Sequence, residues 1–261
     1  MKKILAALLA LSMLFVLGAC KEKPDSEYIK EKGTLVIGYT LFAPMNFEDD
    51  NGELTGFETD FAKAVCDKLG VKYDFQKIDW ETKEVELKSK KIDCIWNGMT
   101  ITPEREAEMS ISIPYMANKQ VLVIRADALA NFTSADGLDI VAEKESAGEE
   151  VATTDEYFKN ANYTPVATQA DALMNVSTNR ADGCVVDYVC SIGMIGEGTD
   201  YENLVVVDSL AFADEQYGIA LRKGSDYTDD INKAIEELAA DGTLLEIAKK
   251  YKLENQIIVG K

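Results

Sequence analysis

One stretch constrains the fold of this chain more than any other: residues 92–105, with the sequence IDCIWNGMTITPER. Residues 94–96 are an apolar run that predicts a short buried strand, and the Asn-Gly pair that follows predicts its end. Thr102 is a favourable helix N-cap, and Pro103 stands where a helix accepts proline at its first position. A strand that leads into a helix within a few residues is typical of α/β proteins.

The predicted helix start offers a candidate anion site. The first N–H groups of a helix have no intrahelical acceptor and carry partial positive charge, which suits an anion. Arg105 in that first turn can hold a carboxylate through two parallel hydrogen bonds. Thr100 can add a hydroxyl donor, and Gly98 lets backbone approach a ligand closely. We predict a carboxylate site here; the alternative is an ordinary helix start with a solvated arginine.

Strands and helices alternate along the chain, and the second half repeats the pattern of the first. Apolar periodicity predicts strands at 34–39, 71–75 and 120–125 and a helix at 57–69. Residues 179–187 parallel residues 90–96, because in both a basic residue, an Asp and a buried strand follow one another. This pattern predicts an α/β fold with a parallel sheet in two similar lobes.

Two features of the second half are candidates for ligand contact. Asp187 ends an apolar strand, at the edge where ligands bind in open α/β sheets. A carboxylate at that point is either a surface loop residue or the counter-ion of a bound cation, and the residues alone leave both open. Residues 145–148 open a second helix, which provides a second helix N-terminus.

The first twenty residues have the pattern of a lipoprotein leader. Lys2 and Lys3 precede an apolar run at 4–17 that is short for a membrane span. The run ends in LGAC, which resembles the bacterial lipobox, whose cysteine becomes lipid-modified after cleavage. We expect a signal peptide at 1–19, lipidation at Cys20 and a polar tether at 20–32. The alternative is an ordinary signal peptide with a chance cysteine.

The net charge argues against nucleic-acid binding, and the histidine and cysteine content argues against metal binding. The chain has a formal net charge of −19, and loss of the leader removes two lysines, so nucleic acid is not expected as a partner. With no histidine and no Cys-x-x-Cys pair, we expect no metal site. The cysteines of the mature chain are expected to be free and buried, with disulfides as the alternative: Cys66, Cys94, Cys184 and Cys190.

Several short motifs occur in a characteristic order. They are LTGFETD at 54–60, KID at 91–93, GMTITPER at 98–105, NRAD at 179–182, QYGIA at 216–220 and DGT at 241–243. In this order and spacing, from about residue 33 to residue 251, the chain resembles the extracytoplasmic solute-binding proteins of polar amino-acid ABC transporters. The resemblance implies a two-lobed periplasmic-binding-protein-like α/β fold whose lobes are joined by two hinge strands. It places the first lobe at 33–118 and 214–261 and the second at 119–213.

The resemblance also implies how an amino acid is held between the lobes. Arg105, Thr100 and Gly98 would bind its α-carboxylate. Asp187 would receive its α-ammonium, with help from the Gly98 carbonyl.

The remaining site residues come from the second lobe and from two aromatic positions. The resemblance implies that the loop of Ser146, Ala147 and Gly148 contacts the carboxylate from the opposite side. Phe42 and Trp80 fall where the family places aromatic walls around the ligand side chain.

Four departures from the family pattern bear on specificity, one of them Val186, where some relatives have a polar residue before the Asp. Tyr39 stands where relatives that bind basic or amide side chains often carry Asp, and Ala147 replaces a usual Ser or Thr. Asn97 is polar where small residues are common. Together they favour a neutral or polar side chain over Lys, Arg or His. The orientation of Glu143, near the second-lobe loop, does not follow from the sequence.

The function expected from these features is capture of an L-amino acid and its delivery to an ABC transporter permease. We expect a monomer without a cofactor, lipid-anchored to the outer face of the cell membrane. One alternative is a cyclohexadienyl dehydratase-like enzyme on the same fold. Because the chain has no histidine, acid–base work in such an enzyme would fall to Glu, Asp, Lys or Tyr. Another alternative is an amino-acid sensor.

Overall fold

A computed structural model describes residues 23–260 of the chain. The strands, numbered along the chain, are β1 (Thr34–Tyr39), β2 (Phe47–Glu48), β3 (Leu54–Thr55), β4 (Lys72–Lys77), β5 (Cys94–Thr100), β6 (Met109–Ile111), β7 (Met116–Arg125), β8 (Asp139–Glu143), β9 (Asn162–Val166), β10 (Gly183–Asp187), β11 (Leu204–Val206) and β12 (Phe212–Arg222). The α-helices are α1 (Asp25–Lys32), α2 (Phe57–Leu69), α3 (Lys83–Lys88), α4 (Pro103–Glu108), α5 (Ala147–Thr154), α6 (Gln169–Ser177), α7 (Tyr188–Met194), α8 (Tyr227–Ala240) and α9 (Thr243–Lys250).

Two long strands join the lobes of the α/β fold. The main sheet has the order β4-β1-β5-β12-β7-β10-β8-β9. In the first lobe β1 pairs in parallel with β4 and β5, and in the second β8 pairs in parallel with β9 and β10. Strands β7 and β12 pair with each other, β12 also pairs with β5 of the first lobe, and β7 also pairs with β10 of the second, all antiparallel. They are the two hinge strands, and the boundaries predicted after residues 118 and 213 fall inside them.

Helix α2 illustrates how local sequence produces these elements. Its apolar residues Phe57, Phe61 and Val65 recur every four positions and are fully buried, so one face of the helix packs on the sheet. Gly70 ends the helix in the left-handed conformation, with φ of +67°, which costs a glycine little. The first and last residues of α2, and the glycine that ends it, match the sequence prediction.

The strand of the central motif is longer than predicted. β5 continues through Asn97 and Gly98 to Thr100, because β12 supplies antiparallel partners beside it. Gly98 takes a φ of +58°, and a Cβ at this position would lie 2.7 Å from Cε1 of Phe42. The Asn-Gly pair therefore bends the strand beside the cleft without ending it.

The segment predicted as a tether is partly helical. Residues 25–32 form α1, which buries Ile29 completely and ends at Gly33 in the left-handed conformation. Asp25 in this helix pairs with Arg222 at 3.0 Å, and Lys32 pairs with Asp93 at 2.5 Å. These contacts fix α1 to the first lobe, so the tether prediction is wrong for residues 25–32. The predicted signal peptide and the lipidation site at Cys20 lie outside the described residues.

Four cysteines lie in the described part of the chain, and all are free and buried, as their apolar surroundings predicted: Cys66, Cys94, Cys184 and Cys190. Burial raises the pKa of the Cys66 thiol to about 12. Between residues 23 and 260, no helix combines the length and apolar character needed to cross a membrane.

Candidate functional site

A small cavity lies between the two lobes, where β5 and β10 both end. Its volume in this structure is about 10 Å³, roughly the space of one water molecule, so an amino acid can enter only when the lobes separate. Most of the site residues predicted from the sequence line it: Trp80, Asn97, Gly98, Thr100, Arg105, Ser146, Ala147 and Asp187. Glu143 and Gln169 complete the wall. This set of residues is called the interlobe pocket below.

Arg105 enters the interlobe pocket from the first turn of α4. The helix start has the predicted form, because the Thr102 hydroxyl accepts the Arg105 N–H at 3.2 Å and Pro103 occupies the first turn. Nη1 of Arg105 donates to the Thr100 carbonyl at 2.9 Å, which orients the guanidinium. Among the described residues its other guanidinium N–H groups have no protein acceptor, so they are available to an anion. Burial lowers the pKa of Arg105, yet an arginine remains charged at neutral pH.

Asp187 lies across the pocket, at the end of β10, and is buried. Its carboxylate accepts hydrogen bonds from Asn118 at 2.6 Å, from Gln120 at 2.7 Å and from Gln169. None of the ion pairs in the described residues includes Asp187. Burial raises the pKa of this carboxyl above its usual range, although the three amides favour the charged form. The pocket therefore holds a desolvated acid that lacks a cation.

Two further acids near the pocket were not predicted as site residues. Glu143 ends β8 and lines the pocket, and burial raises its pKa to about 8. Glu215 on β12 accepts from the Thr100 hydroxyl at 3.1 Å, and burial followed by the charge of Asp187 raises its pKa to about 7. The rule that ligands bind at the ends of parallel strands could have identified Glu143. Glu215 lies inside a strand, so no comparable signal marks it.

The structure gives two residues of the predicted carboxylate site other partners. The Gly98 N–H donates to Oε1 of Glu58 at 2.8 Å, so it is not free for a ligand. The Thr100 hydroxyl donates to Glu215, which likewise occupies its donor. Both findings differ from the roles that the resemblance implied, because buried acids beside β5 compete for the same donors.

The second-lobe loop beside the pocket is ordered by Ser146 and contacts Trp80 of the first lobe. Ser146 caps α5, where its hydroxyl accepts the Glu149 N–H at 3.1 Å and donates to the Glu143 carbonyl at 2.6 Å. The Trp80 indole donates to the Glu145 carbonyl at 3.1 Å and so crosses from the first lobe to the second. The structure thus has its lobes in contact.

Three predicted residues lie outside the pocket wall. Phe42 is buried behind Gly98, and Tyr39 packs edge-on against Phe75 with ring centroids 6.0 Å apart. Gly148 allows close packing of α5 on β10, because a Cβ there would lie 2.7 Å from the Val185 carbonyl oxygen. All three positions carry packing roles in this structure.

A buried acid beneath the pocket positions the bend at Gly98. Glu58 is fully buried and accepts from the Gly98 N–H, from Asn46 at 2.8 Å and from the Tyr115 hydroxyl. Burial raises the pKa of Glu58 to about 7. The sequence placed this residue in a helix-start motif without indicating that it supports the site.

Glu58 makes the stability of the ligand-free protein depend on pH. Because its pKa is raised, the folded state binds a proton that the unfolded state has released between about pH 4.5 and pH 7. We expect the free energy of unfolding to fall as pH rises through this window, by at most about 1.4 kcal/mol per pH unit for each such group. Urea unfolding at pH 5, 6, 7 and 8 measures the slope.

The matched variants are Glu58→Gln and Glu156→Gln. Glu58→Gln removes one of the groups that titrate in this window and is expected to reduce the slope, whereas exposed Glu156→Gln is expected to leave it unchanged. Equal slopes in wild type and Glu58→Gln would contradict this assignment.

Comparisons with known proteins agree with this architecture. A match to the bacterial extracellular solute-binding proteins, family 3, spans residues 35–254. The L-cystine-binding protein of Escherichia coli K12 is 29% identical over 228 residues, which cover 85% of this chain and 84% of that protein. The arginine-binding extracellular protein of Bacillus subtilis 168 is 29% identical over 96% of this chain and 98% of that protein.

A solved structure extends the similarity to three dimensions. It is that of an ancestral amino acid-binding protein described as a precursor of cyclohexadienyl dehydratase. It is 29% identical, superposes with a TM-score of 0.76, and the alignment covers 87% of this chain and 98% of that one. The family match spans most of the chain, and the two-lobed fold is the same. This chain belongs to the bacterial extracellular solute-binding proteins, family 3.

Proposed function

We propose that this protein captures an L-amino acid in the interlobe pocket and delivers it to an ABC importer. One observation carries the proposal: a guanidinium with free donors and a buried carboxylate without a cation face the same small cavity, Arg105 from one lobe and Asp187 from the other. An α-amino acid brings one carboxylate and one ammonium on a single carbon. That zwitterion complements both side chains.

The carboxylate end of the ligand has donors on both lobes. Arg105 offers its fork from the first lobe. Ala147, which lines the pocket, opens α5 in the second lobe, and the first N–H groups of a helix have no intrahelical acceptor. A carboxylate between them would link the lobes, which supports closure on the ligand.

The ammonium end would relieve the electrostatic cost of Asp187. A buried carboxylate without a cation is unfavourable, and its pKa is raised for that reason. The amides of Asn118, Gln120 and Gln169 orient the carboxylate but cannot neutralise it. A ligand ammonium supplies the missing charge. The relatives named as binding L-cystine and arginine support the same class of ligand.

The family and the leader sequence support the proposed delivery to an importer and the proposed location of the protein. The family consists of extracellular solute-binding proteins. The leader motif supports a lipid anchor on Cys20 at the outer face of the membrane. A tethered monomer that closes on one amino acid and docks on a permease is the arrangement that we propose.

A thermal-shift panel of the twenty L-amino acids tests the proposal. The protein is first unfolded and refolded to remove any ligand carried through purification. A ligand at about a thousand times its dissociation constant adds roughly 4 kcal/mol to stability, and so raises Tm by several degrees. We expect one or a few L-amino acids to do so and their D-enantiomers not to. A panel without any shift would reject amino-acid capture.

A dehydratase is the second candidate function, and one observation favours it. Glu143 and Glu215 have pKa values of about 8 and about 7, and acids that titrate near neutral pH suit proton transfer. A relative described as a precursor of cyclohexadienyl dehydratase makes that activity the one to assay. Incubation with prephenate or arogenate, followed by mass spectrometry of the products, separates the two functions. Turnover that Glu143→Gln abolishes would establish the enzyme.

A further inference from the structure

The interlobe pocket and its border contain more acidic side chains than a neutral amino acid can pair with. An α-ammonium pairs with Asp187, and an α-carboxylate pairs with Arg105, which leaves Glu143 and Glu215. Glu215 already accepts hydrogen bonds from Thr100, from Asn118 at 3.0 Å and from Gln120 at 3.0 Å. Glu143 has a hydrogen-bond interaction with the Gln169 side chain but, among the described residues, no ion pair.

Glu143 is placed to contact a ligand side chain. It lines the pocket, its exposed fraction is 6%, and among the described residues it forms no ion pair. Its one side-chain hydrogen-bond partner among the described residues is the Gln169 amide, which Asp187 shares. A buried carboxylate with so few donors is unfavourable unless a cation or a strong donor reaches it.

Lys83, whose charge lowers the pKa of Glu143, forms no ion pair with it in the described residues. Lys83 interacts with Glu143 only at a distance, because its ammonium donates to the Trp80 carbonyl at 3.1 Å and lies 4.7 Å from the centre of the Trp80 ring. Burial, followed by the charge of Arg105, lowers the pKa of Lys83 to about 8. The Lys83 ammonium is thus held against Trp80 and forms no ion pair with Glu143.

The cleft outside the pocket has the same sign of charge. This wider cleft, of about 890 Å³, shares Thr100 and Ala147 with the pocket. Its acidic lining consists of Glu104, Glu150, Asp155, Glu156, Asp214 and Glu215. Among the described residues no lysine or arginine lines it. An approach lined by one sign of charge attracts a ligand of the opposite sign.

We propose that Glu143 forms the subsite for a positively charged ligand side chain, so that this protein selects a cationic amino acid of the arginine or lysine type. The inference rests on the proposed function. It differs from the neutral side chain favoured by the sequence, because the absence of an acid at Tyr39 is offset by Glu143 from the opposite lobe. In this proposal Glu143 determines which ligand side chain is bound, whereas Arg105 and Asp187 bind the α-carboxylate and α-ammonium that all amino acids share. The described residues contain no group of acids that could hold a metal ion instead.

Calorimetric titration with charge-matched ligands tests the subsite. L-Citrulline has nearly the shape of L-arginine without its charge, and L-lysine and L-ornithine vary the length of the cation. We expect the refolded wild type to bind at least one cationic ligand about 30-fold or more tightly than citrulline and glutamine. Glu143→Gln is expected to lose most of that preference by weakening cation binding, with citrulline affinity changed less than about threefold.

Two further variants control for structural damage. Glu143→Asp keeps the charge and is expected to retain the preference for the cation. Glu150→Gln, at the cleft mouth, is expected to slow association and to leave the preference unchanged. Neutral ligands that bind wild type as tightly as cations, or an unchanged preference in Glu143→Gln, would overturn the subsite alone. Failure of every amino acid to bind wild type would overturn the proposed function itself.

Discussion

Arg105→Ala is expected to remove most of the affinity for the amino acid while leaving the fold intact. The guanidinium is held by the Thr100 carbonyl at 2.9 Å and directs its free N–H groups into a nearly closed pocket. Without it the ligand carboxylate is buried with only the helix N–H groups of the second lobe as donors. Loss of one partner of a buried charge pair costs about 2–5 kcal/mol, or roughly 30-fold to several thousand-fold in Kd.

The measurement is a calorimetric Kd for the best ligand of the amino-acid panel. Arg105→Lys keeps the charge without the planar fork and is expected to recover part of the affinity. Exposed Arg180→Ala is the matched control and is expected to bind like wild type. Circular dichroism of the ligand-free variants checks the fold. A Kd within threefold of wild type for Arg105→Ala would remove Arg105 from the site.

Arg222→Ala is expected to lower the free energy of unfolding strongly and to leave ligand affinity unchanged. Arg222 is buried and pairs with Asp25 at 3.0 Å and with Asp93 at 3.3 Å. Its Nη1 also donates to the Ile92 carbonyl at 2.8 Å. The substitution leaves buried Asp25 without its ion-pair partner and leaves Asp93 with Lys32 alone, and breaking a buried ion pair from one side costs about 3–5 kcal/mol.

Urea unfolding of the ligand-free protein measures this effect. Arg125→Ala removes an exposed pair with Asp127, so we expect a cost of only about 0–1 kcal/mol from that control. Asp93 precedes β5, whereas Thr100 ends it, roughly 20 Å away for a strand of this length. That separation is why the Kd of folded Arg222→Ala should equal that of wild type. A decrease in the free energy of unfolding no larger than that of Arg125→Ala would show that the ion pairs of Arg222 contribute little to stability.

Local sequence rules were sufficient wherever the relevant partners are close in the chain. The cap of α4 depends on Thr102 and on an N–H three residues later, so a short motif determines it. The bounds of α2 follow from its four-residue apolar spacing and from Gly70. In both cases the residues that decide the outcome lie within one helix or directly beside it in the sequence.

The same rules failed where distant segments decide the outcome. The Asn-Gly pair in β5 was read as a strand end, but β12, more than a hundred residues later, supplies the missing partners. α1 was read as a tether because its composition is polar, while Arg222 and Asp93 make those polar residues part of the first lobe. The composition of a segment does not show which of its charged side chains will form ion pairs with distant residues.

The sequence by itself determined the family, the two-lobed α/β fold, the cap beside Arg105 and the acid at the end of β10. These depend on periodicity, on capping chemistry and on the order of motifs along the chain. Only the tertiary structure decided how the pocket is charged, because Glu58, Glu143 and Glu215 come from three separate segments and acquire their raised pKa values through burial. Burial is a property of the assembled lobes, since desolvation of a carboxyl depends on everything packed around it.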